Sequence, residues 1–390
     1  MATYQQVRLS ELIHQNAVPE KIADTKNERY VTVSLYGKGV KERVIKDDKY
    51  PVPFVGYRVS EGQFIYSRID ARNGAYGIIG PELDGFVVSK DFPVYDIDTS
   101  KILPQFLLIS VLSESFLHQV KNSSFGATNR MRIKEEILEG YSIFLPPLEE
   151  QARLATLIGA TQSLLELRQR QLHALDALIK ARFVEMFGDM LINPMNWPEQ
   201  RLETVAEIVS GITKGRKIQT IELFEVPYMA VSNVKDGYID WTTVKTIAAS
   251  QAEIDQYRLM PDDVLMTEGG DPDKLGRGAI IHNPPKDCIH QNHIFRVRLN
   301  QEHIRPEFME QYLQHQRAKR YFLGCAKQTT GIASINMTQL RALPMLMPPM
   351  GLQNQFATFV SQVDKSKAAV QAALDKAQLL FNSLMQQYFG

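Results

Sequence analysis

The chain has 390 residues, with 44 Lys and Arg against 44 Asp and Glu, 8 His and 2 Cys. That length exceeds one ordinary domain, and an apolar share of 44% is enough to bury more than one core. Zero net charge excludes a simple polycationic ligand for nucleic acid, although a basic face remains open because charge acts locally. No apolar run approaches the roughly 18 residues needed to span a bilayer. The opening Met1-Ala2-Thr3-Tyr4-Gln5-Gln6 lacks the basic-then-apolar pattern of a secretory signal. Cys288 and Cys325 are too few to staple a chain of this size, so a reducing cytoplasm is the expected setting.

In chain order, residues 1–145 read as an α+β domain of mostly antiparallel strands. Short β-rich runs fall at 30–36, 77–79 and 86–88, with the turn signals Asn73-Gly74 and Asp84-Gly85 between them. A helical stretch follows at 104–121. Residues 146–189 read as one long helix, with apolar residues at Leu154, Ile158, Leu165, Leu172, Leu175, Ile179 and Met186 in a 3/4 spacing. Pro147 suits a first helical turn and Gly188 a stop. Residues 190–347 are again α+β, with a turn at Asp236-Gly237, a strand at 293–299 and a helix at 306–322. Residues 348–390 form a second long helix, patterned by Phe356, Val360, Val363, Val370, Leu374, Phe381 and Leu384. About 40 residues make a rod of about 60 Å.

The halves repeat. A shift of 202 carries Pro146-Pro147-Leu148 onto Pro348-Pro349-Met350, Gln151 onto Gln353, and Phe187-Gly188 onto Phe389-Gly390. Further back, Ile133 meets Ile335 and Leu138 meets Leu340. Two such seams in one chain most economically bury each other as an antiparallel coiled coil on a pseudo-twofold frame. The pairing residues are then Leu154, Ile158, Leu165, Leu172 and Ile179 against Phe356, Val360, Val370, Leu374 and Phe381. The plainer alternative packs each helix on its own domain.

Catalytic patterns are mostly missing. An adenine methyltransferase needs an aromatic after an Asn/Asp-Pro-Pro turn to stack on the flipped base. Here Lys286 follows Asn283-Pro284-Pro285, which reads as a turn. Gly37-Lys38-Gly39 and Gly276-Arg277-Gly278 do not have the spacing of a phosphate loop. Cys288, His290 and His293 are close enough to suggest zinc, but a fourth ligand is distant, and strand alternation sets the two histidines on opposite faces. Ordinary packing is favoured and no metal is expected. Asp262, Asp263, Glu268 and Asp271 form a weak nuclease-like cluster, without the Glu-x-Lys expected beside it.

What remains is a set of polar loops at matching places in both halves. Arg68, Arg72 and Asn73 follow one strand; Thr267, Glu268, Gly270, Lys274 and Arg277 follow its counterpart. Later, Thr128, Asn129 and Arg130 match Gln328, Thr329 and Thr330. These residue types supply the hydrogen bonds of base-edge and phosphate contact in DNA, and they are the candidate DNA-binding residues. Solvated loops are the plainer reading of any one of them.

At this point the chain resembles the specificity subunits of type I restriction-modification systems. The marks are Pro146-Pro147-Leu148-Glu149-Glu150-Gln151, the long helix, Met186-Phe187-Gly188-Asp189, Asn193-Pro194, Trp197-Pro198 and the opening Gly211-Ile212-Thr213. The first domain lacks such a Gly-x-Thr opening, and Gly351-Leu352 replaces the Glu149-Glu150 of the first tail. The resemblance implies a non-catalytic, DNA-binding protein of phage defence. Two target-recognition domains, 1–145 and 190–347, would each read half of a bipartite, asymmetric site. The conserved helices, 146–189 and 348–390, would separate them and dock two adenine-methyltransferase subunits, with restriction-translocase subunits joining. S-adenosylmethionine, ATP and magnesium would then sit on those partners and not on this chain. The competing readings are a coiled-coil scaffold without DNA binding and a self-sufficient DNA methyltransferase or nuclease.

Overall fold

The computed structural model describes residues 4–16, 18–124, 132–217, 222–271, 274–329 and 331–390. Both long helices form, Leu148–Phe187 and Met350–Phe389. Gly188, at φ 76°, ends the first in the left-handed conformation that glycine adopts without strain. The motif after it is a cap. The Trp197 indole donates to the Phe187 carbonyl at 3.0 Å, while the Asn193 amide holds both the N–H and the C=O of Trp197.

The helical stretches expected over 104–121 and 306–322 are each two helices. Ser113 has extended backbone (φ −64°, ψ 150°), and its hydroxyl accepts the Phe116 amide at 3.3 Å. This N-cap separates Pro104–Val111 from Glu114–Ser123. His315 (φ −76°, ψ 151°) does the same between Pro306–Gln314 and Gln316–Cys325, with its ring accepting the Arg317 amide.

The chain divides into two units, residues 1–169 with 372–390, and residues 170–371. Each takes one variable segment and part of each long helix. In the first unit, Arg153 donates to the Tyr388 hydroxyl at 3.4 Å, and Leu154 and Ile158 share a core with Phe381 and Phe389. In the second, Phe183 and Phe187 pack on Phe356 with ring centroids 5.5 Å apart, and Lys367 meets Asp176 at 2.8 Å. The start of one helix thus meets the end of the other in both units, which is the expected antiparallel pairing. Of the expected seam, Leu154, Ile158, Leu165, Ile179, Phe356, Val360 and Val370 are buried; Leu172, Leu374 and Phe381 are half-buried.

The first unit has a four-stranded antiparallel sheet in the order Ile13–His14, Val94–Ile97, Phe64–Tyr66, Tyr76–Ile78. The second repeats it as Ala206–Ser210, Ile294–Leu299, Val264–Thr267, Gly278–Ile280. Two-stranded ladders recur too, Gln5–Arg8 with Ser142–Leu145 and Glu199–Arg201 with Pro344–Leu346. The outer strands diverge. Phe54–Arg58 lies antiparallel between Glu20–Ile22 and Val87–Ser89, whereas Phe224–Met229 pairs antiparallel with Lys245–Ala249 and parallel with Ile289–His290.

The repeat has a physical anchor in two fully buried glutamines. The Gln151 amide donates to the carbonyls of Lys101 and Pro146 and accepts the Leu103 N–H, all at 2.8 Å. Gln353 donates to His303 at 3.3 Å and Pro348 at 2.8 Å, and accepts Arg305 N–H at 2.9 Å. Every partner is displaced by the same 202 residues. Each amide ties the start of a long helix to the loop entering the short helix before it, satisfying backbone groups that burial would otherwise orphan.

Candidate nucleic-acid interface

In the second unit the structure brings two of the singled-out loops together. Gly269–Gly270 pairs with Ile332–Ser334, which pairs in turn with Lys327–Thr329. The backbone carrying Gln328 and Thr329 therefore lies one strand away from Gly270. Beside this small sheet, Glu268 is fixed on both sides, its N–H bonded to His293 O and its C=O to Ile335 N–H. Its carboxylate meets His293 Nδ1 at 2.5 Å, and 33% of its side chain remains exposed. A carboxylate only accepts hydrogen bonds, so this one suits an exocyclic amine on a base edge.

Lys274 and Arg277 lie on the turn that follows. Lys274 bonds Asp271 at 2.5 Å and holds that carboxyl below its ordinary range. Together with Lys235 and Lys319 they line a cavity of about 230 Å³, which Asp236, Tyr238 and Leu275 complete. Four cations line it; Lys274 is paired with Asp271 and Lys319 lies 3.7 Å from Asp236, which leaves a net positive charge suited to an anion of phosphate size. Lys235 and Lys319 were not legible as a pair in the sequence, because the loop 231–240 and the helix Gln316–Cys325 are distant along the chain.

Thr267 is a correction. The sequence places it among the DNA-binding residues, but it ends the central strand Val264–Thr267 and is fully buried, its hydroxyl enclosed without a hydrogen-bond partner among the described residues. Nothing can reach it from solvent in this conformation.

In the first unit Arg68 occupies the place of Glu268. Ile133 N–H bonds Arg68 O at 3.1 Å, as Ile335 N–H bonds Glu268 O at 2.9 Å. The Arg68 guanidinium is paired with Glu135 and three-quarters covered. Arg72 and Asn73 form a tight turn over Ala71–Asn73, where the Asn73 amide donates to Asp70 at 3.3 Å. Asn73 O accepts the Tyr36 N–H at 2.8 Å, which places an exposed aromatic residue on the neighbouring loop. Tyr36 gave no signal in the sequence, since only this backbone bond places it there. Thr128, Asn129, Arg130 and Thr330 lie outside the described residues.

The supposed zinc group does not converge. His290 is fully buried, with Nδ1 3.1 Å from Tyr257 O and Nε2 3.3 Å from Val209 O. Burial lowers its pKa to about 4. His293 faces Glu268 instead, and Cys288 sits in an apolar cluster with Met229, Leu259 and Ile281, where burial pushes its thiol up to about 12. Among the described residues no three metal-ligating side chains come together. Nor, among them, is any helix long and apolar enough to cross a membrane. The opening Gly211-Ile212 packs on this region: a Cβ on Gly211 would stand 1.9 Å from His290 O, and Ile212 N–H bonds that carbonyl at 2.8 Å.

Comparison with known proteins gives one consistent direction. Residues 194–377 match the family model described as the type I restriction modification DNA specificity domain. The chain is similar to the MjaX type I restriction enzyme specificity subunit of Methanocaldococcus jannaschii, 25% identical over 198 residues, covering 50% of this chain and 46% of that one. It is also similar to the EcoKI type I restriction enzyme specificity subunit of Escherichia coli K12, 22% identical over 295 residues, covering 71% and 62%. It thus spans about half to under two-thirds of the length of these relatives. In fold it matches the S subunit of a type I restriction-modification system from M. genitalium, with TM-score 0.60 at 14% identity over 99% of this chain and 96% of that one.

Proposed function

We propose, from the match of residues 194–377 to the type I restriction modification DNA specificity domain, that the chain is the DNA-reading, non-catalytic subunit of such a system. Each unit reads one half of a bipartite site. The long helices join the two readers and dock adenine-methyltransferase subunits, to which restriction subunits can add. S-adenosylmethionine, ATP and magnesium belong to those partners.

One observation carries the reading. The frame repeats to the residue while the loops it presents diverge. The buried Gln151 and Gln353 braces are the same, yet Arg68 in one unit stands where Glu268 stands in the other. A repeated frame with different contact chemistry is what a non-palindromic target requires, since identical readers would demand a palindrome. The cationic cavity around Lys235, Lys274, Arg277 and Lys319 supplies phosphate contact beside the strands that carry base-reading groups.

The test is methylome sequencing of cells with and without the gene, together with mobility shift of DNA carrying the site that emerges. A methylated bipartite motif that disappears with the gene, and that the purified chain binds, supports the reading. An unchanged methylome, or methyl transfer by the chain alone, refutes it.

A further inference from the structure

The second unit contains a cleft of about 990 Å³ between the helix Pro306–Gln314, segments of the long helices near Asp176 and Asp364, and the loop bearing Tyr238 and Trp241. Glu310 and Glu307 line it from the short helix, three residues apart and so on one face. Glu310 has one hydrogen bond among the described residues, from the Ile280 amide at 3.0 Å. The cation facing it, Lys367, is committed to Asp176 at 2.8 Å and lies 3.7 Å from Asp364. Among the described residues, Glu307 has only Arg305, at 3.9 Å. Burial pushes the Glu310 carboxyl up to about 7.

The repeat shows that the fold does not need this acid. The first unit has the corresponding cleft, about 890 Å³, between Pro104–Val111 and the long helices. A shift of 202 sets Leu108 at the place of Glu310, Ile109 at Gln311 and Leu112 at Gln314, and all three apolar residues line that first cleft. A leucine is therefore accommodated where the second unit keeps a carboxyl that costs stability when charged and unpaired. Tyr238 and Trp241, 60% and 38% exposed, offer flat faces on the same cleft. Lys180 and Lys365 also line it, so the attraction for a cation is local to Glu310 and Glu307. Five carboxylates, Asp176, Asp236, Glu307, Glu310 and Asp364, outnumber Lys180, Lys365 and Lys367 in its lining, so the cleft favours a cationic occupant over DNA.

We propose that this cleft docks a basic segment of a protein partner, with an arginine side chain reaching Glu310. Arginine fits better than lysine. Its planar guanidinium can bond a carboxylate through two N–H groups and stack on an aromatic face. The assignment rests on the functional reading above, which makes the methyltransferase subunit of the same system the partner to use.

The full chain is co-purified with that subunit as wild type, Glu310→Gln and Glu310→Leu, and the association constant is measured at two salt concentrations. Hydrogen exchange of residues 236–241 and 306–314 is followed with and without the subunit. Both variants are expected to weaken association about tenfold or more and to flatten its salt dependence, with DNA binding by the chain alone unchanged. The cleft segments are expected to be protected in the wild-type complex. Glu310→Leu carries the residue of the sister unit, so it is the variant that keeps the fold. A complex that forms with wild-type affinity and salt dependence in both variants, or leaves the cleft unprotected, overturns the assignment while leaving the functional reading intact. Spermidine binding to the chain alone that needs Glu310, with the complex unaffected, also overturns it. Failure to form any complex or bind DNA overturns the functional reading and this assignment with it.

Discussion

Replacing Gln353 by alanine removes an amide that holds three backbone groups in a fully buried site. A net hydrogen bond contributes about 1 kcal/mol, and a buried group left without its partner costs about 1–3 kcal/mol. Three bonds are lost, and Arg305 N–H, His303 O and Pro348 O lose an amide partner. With some relaxation and water entry the cost should be about 2–4 kcal/mol. Gln151→Ala removes the same three kinds of bond and should cost the same. The two partner sets share no residue, so the double variant should cost the sum of the singles to within about 0.5 kcal/mol. Gln353→Glu is the sharper probe. It keeps the shape and can still accept from Arg305, but a carboxylate cannot donate to His303 and Pro348. It should therefore destabilise more than alanine at neutral pH and recover part of the loss in acid, where the carboxyl carries one proton. Urea unfolding followed by circular dichroism gives these values from the midpoint at constant slope. Losses below about 1 kcal/mol for both alanine variants, or glutamate tolerated as well as glutamine, would show that the braces do not hold the repeat together.

Three further outcomes are expected. Burial holds His290 at about 4, below the ordinary histidine value of 6.5, so the unfolded chain takes up this proton before the folded one does. Stability from this group is full above about 6.5 and falls as pH drops toward 4, by up to about 3 kcal/mol; His290→Gln should flatten that stretch of the stability–pH curve, and an unchanged curve refutes the role. Lys235→Ala and Lys319→Ala should each reduce the slope of log K against log salt by about 0.9 without changing the preferred sequence; altered preference at unchanged slope would make them base-reading residues. Glu268→Gln should relax one position of one half-site, at about 1–3 kcal/mol, while Arg72→Ala acts on the other half-site or on the salt slope; methylation-site profiles that degrade equally in both halves from either change would refute the division of labour.

The helices and the repeat were legible because they rest on spacing and identity. The match of Gln151 with Gln353 was visible in the sequence; its cause, three buried bonds per amide, was not. The breaks at Ser113 and His315 escaped because they depend on one side chain capping a backbone amide inside an otherwise helical pattern. Thr267 looked like a loop residue because Glu268 and two glycines follow it, yet the strand continues through it into the core. The cationic cavity escaped because Lys235 and Lys319 meet only when the helix Gln316–Cys325 folds back on the loop at 231–240.

Under the proposed function, the way the two units differ bears on how one chain would carry two specificities. The link that positions the reading loop is a backbone bond, Ile133 to Arg68 in one unit and Ile335 to Glu268 in the other. A backbone bond places no demand on the side chain that leaves the same residue. One unit can therefore present a guanidinium paired with Glu135, and the other a carboxylate paired with His293, at one position of one frame. The braces that fix the frame are buried glutamines, which tolerate little change, whereas the loops lie at the surface, where most substitutions cost under about 0.5 kcal/mol. The residues that hold the frame are thus separate from those to which the proposed function assigns specificity. On that reading, substitutions in a loop would alter what one unit reads without loosening that unit's frame or touching the loops of the other.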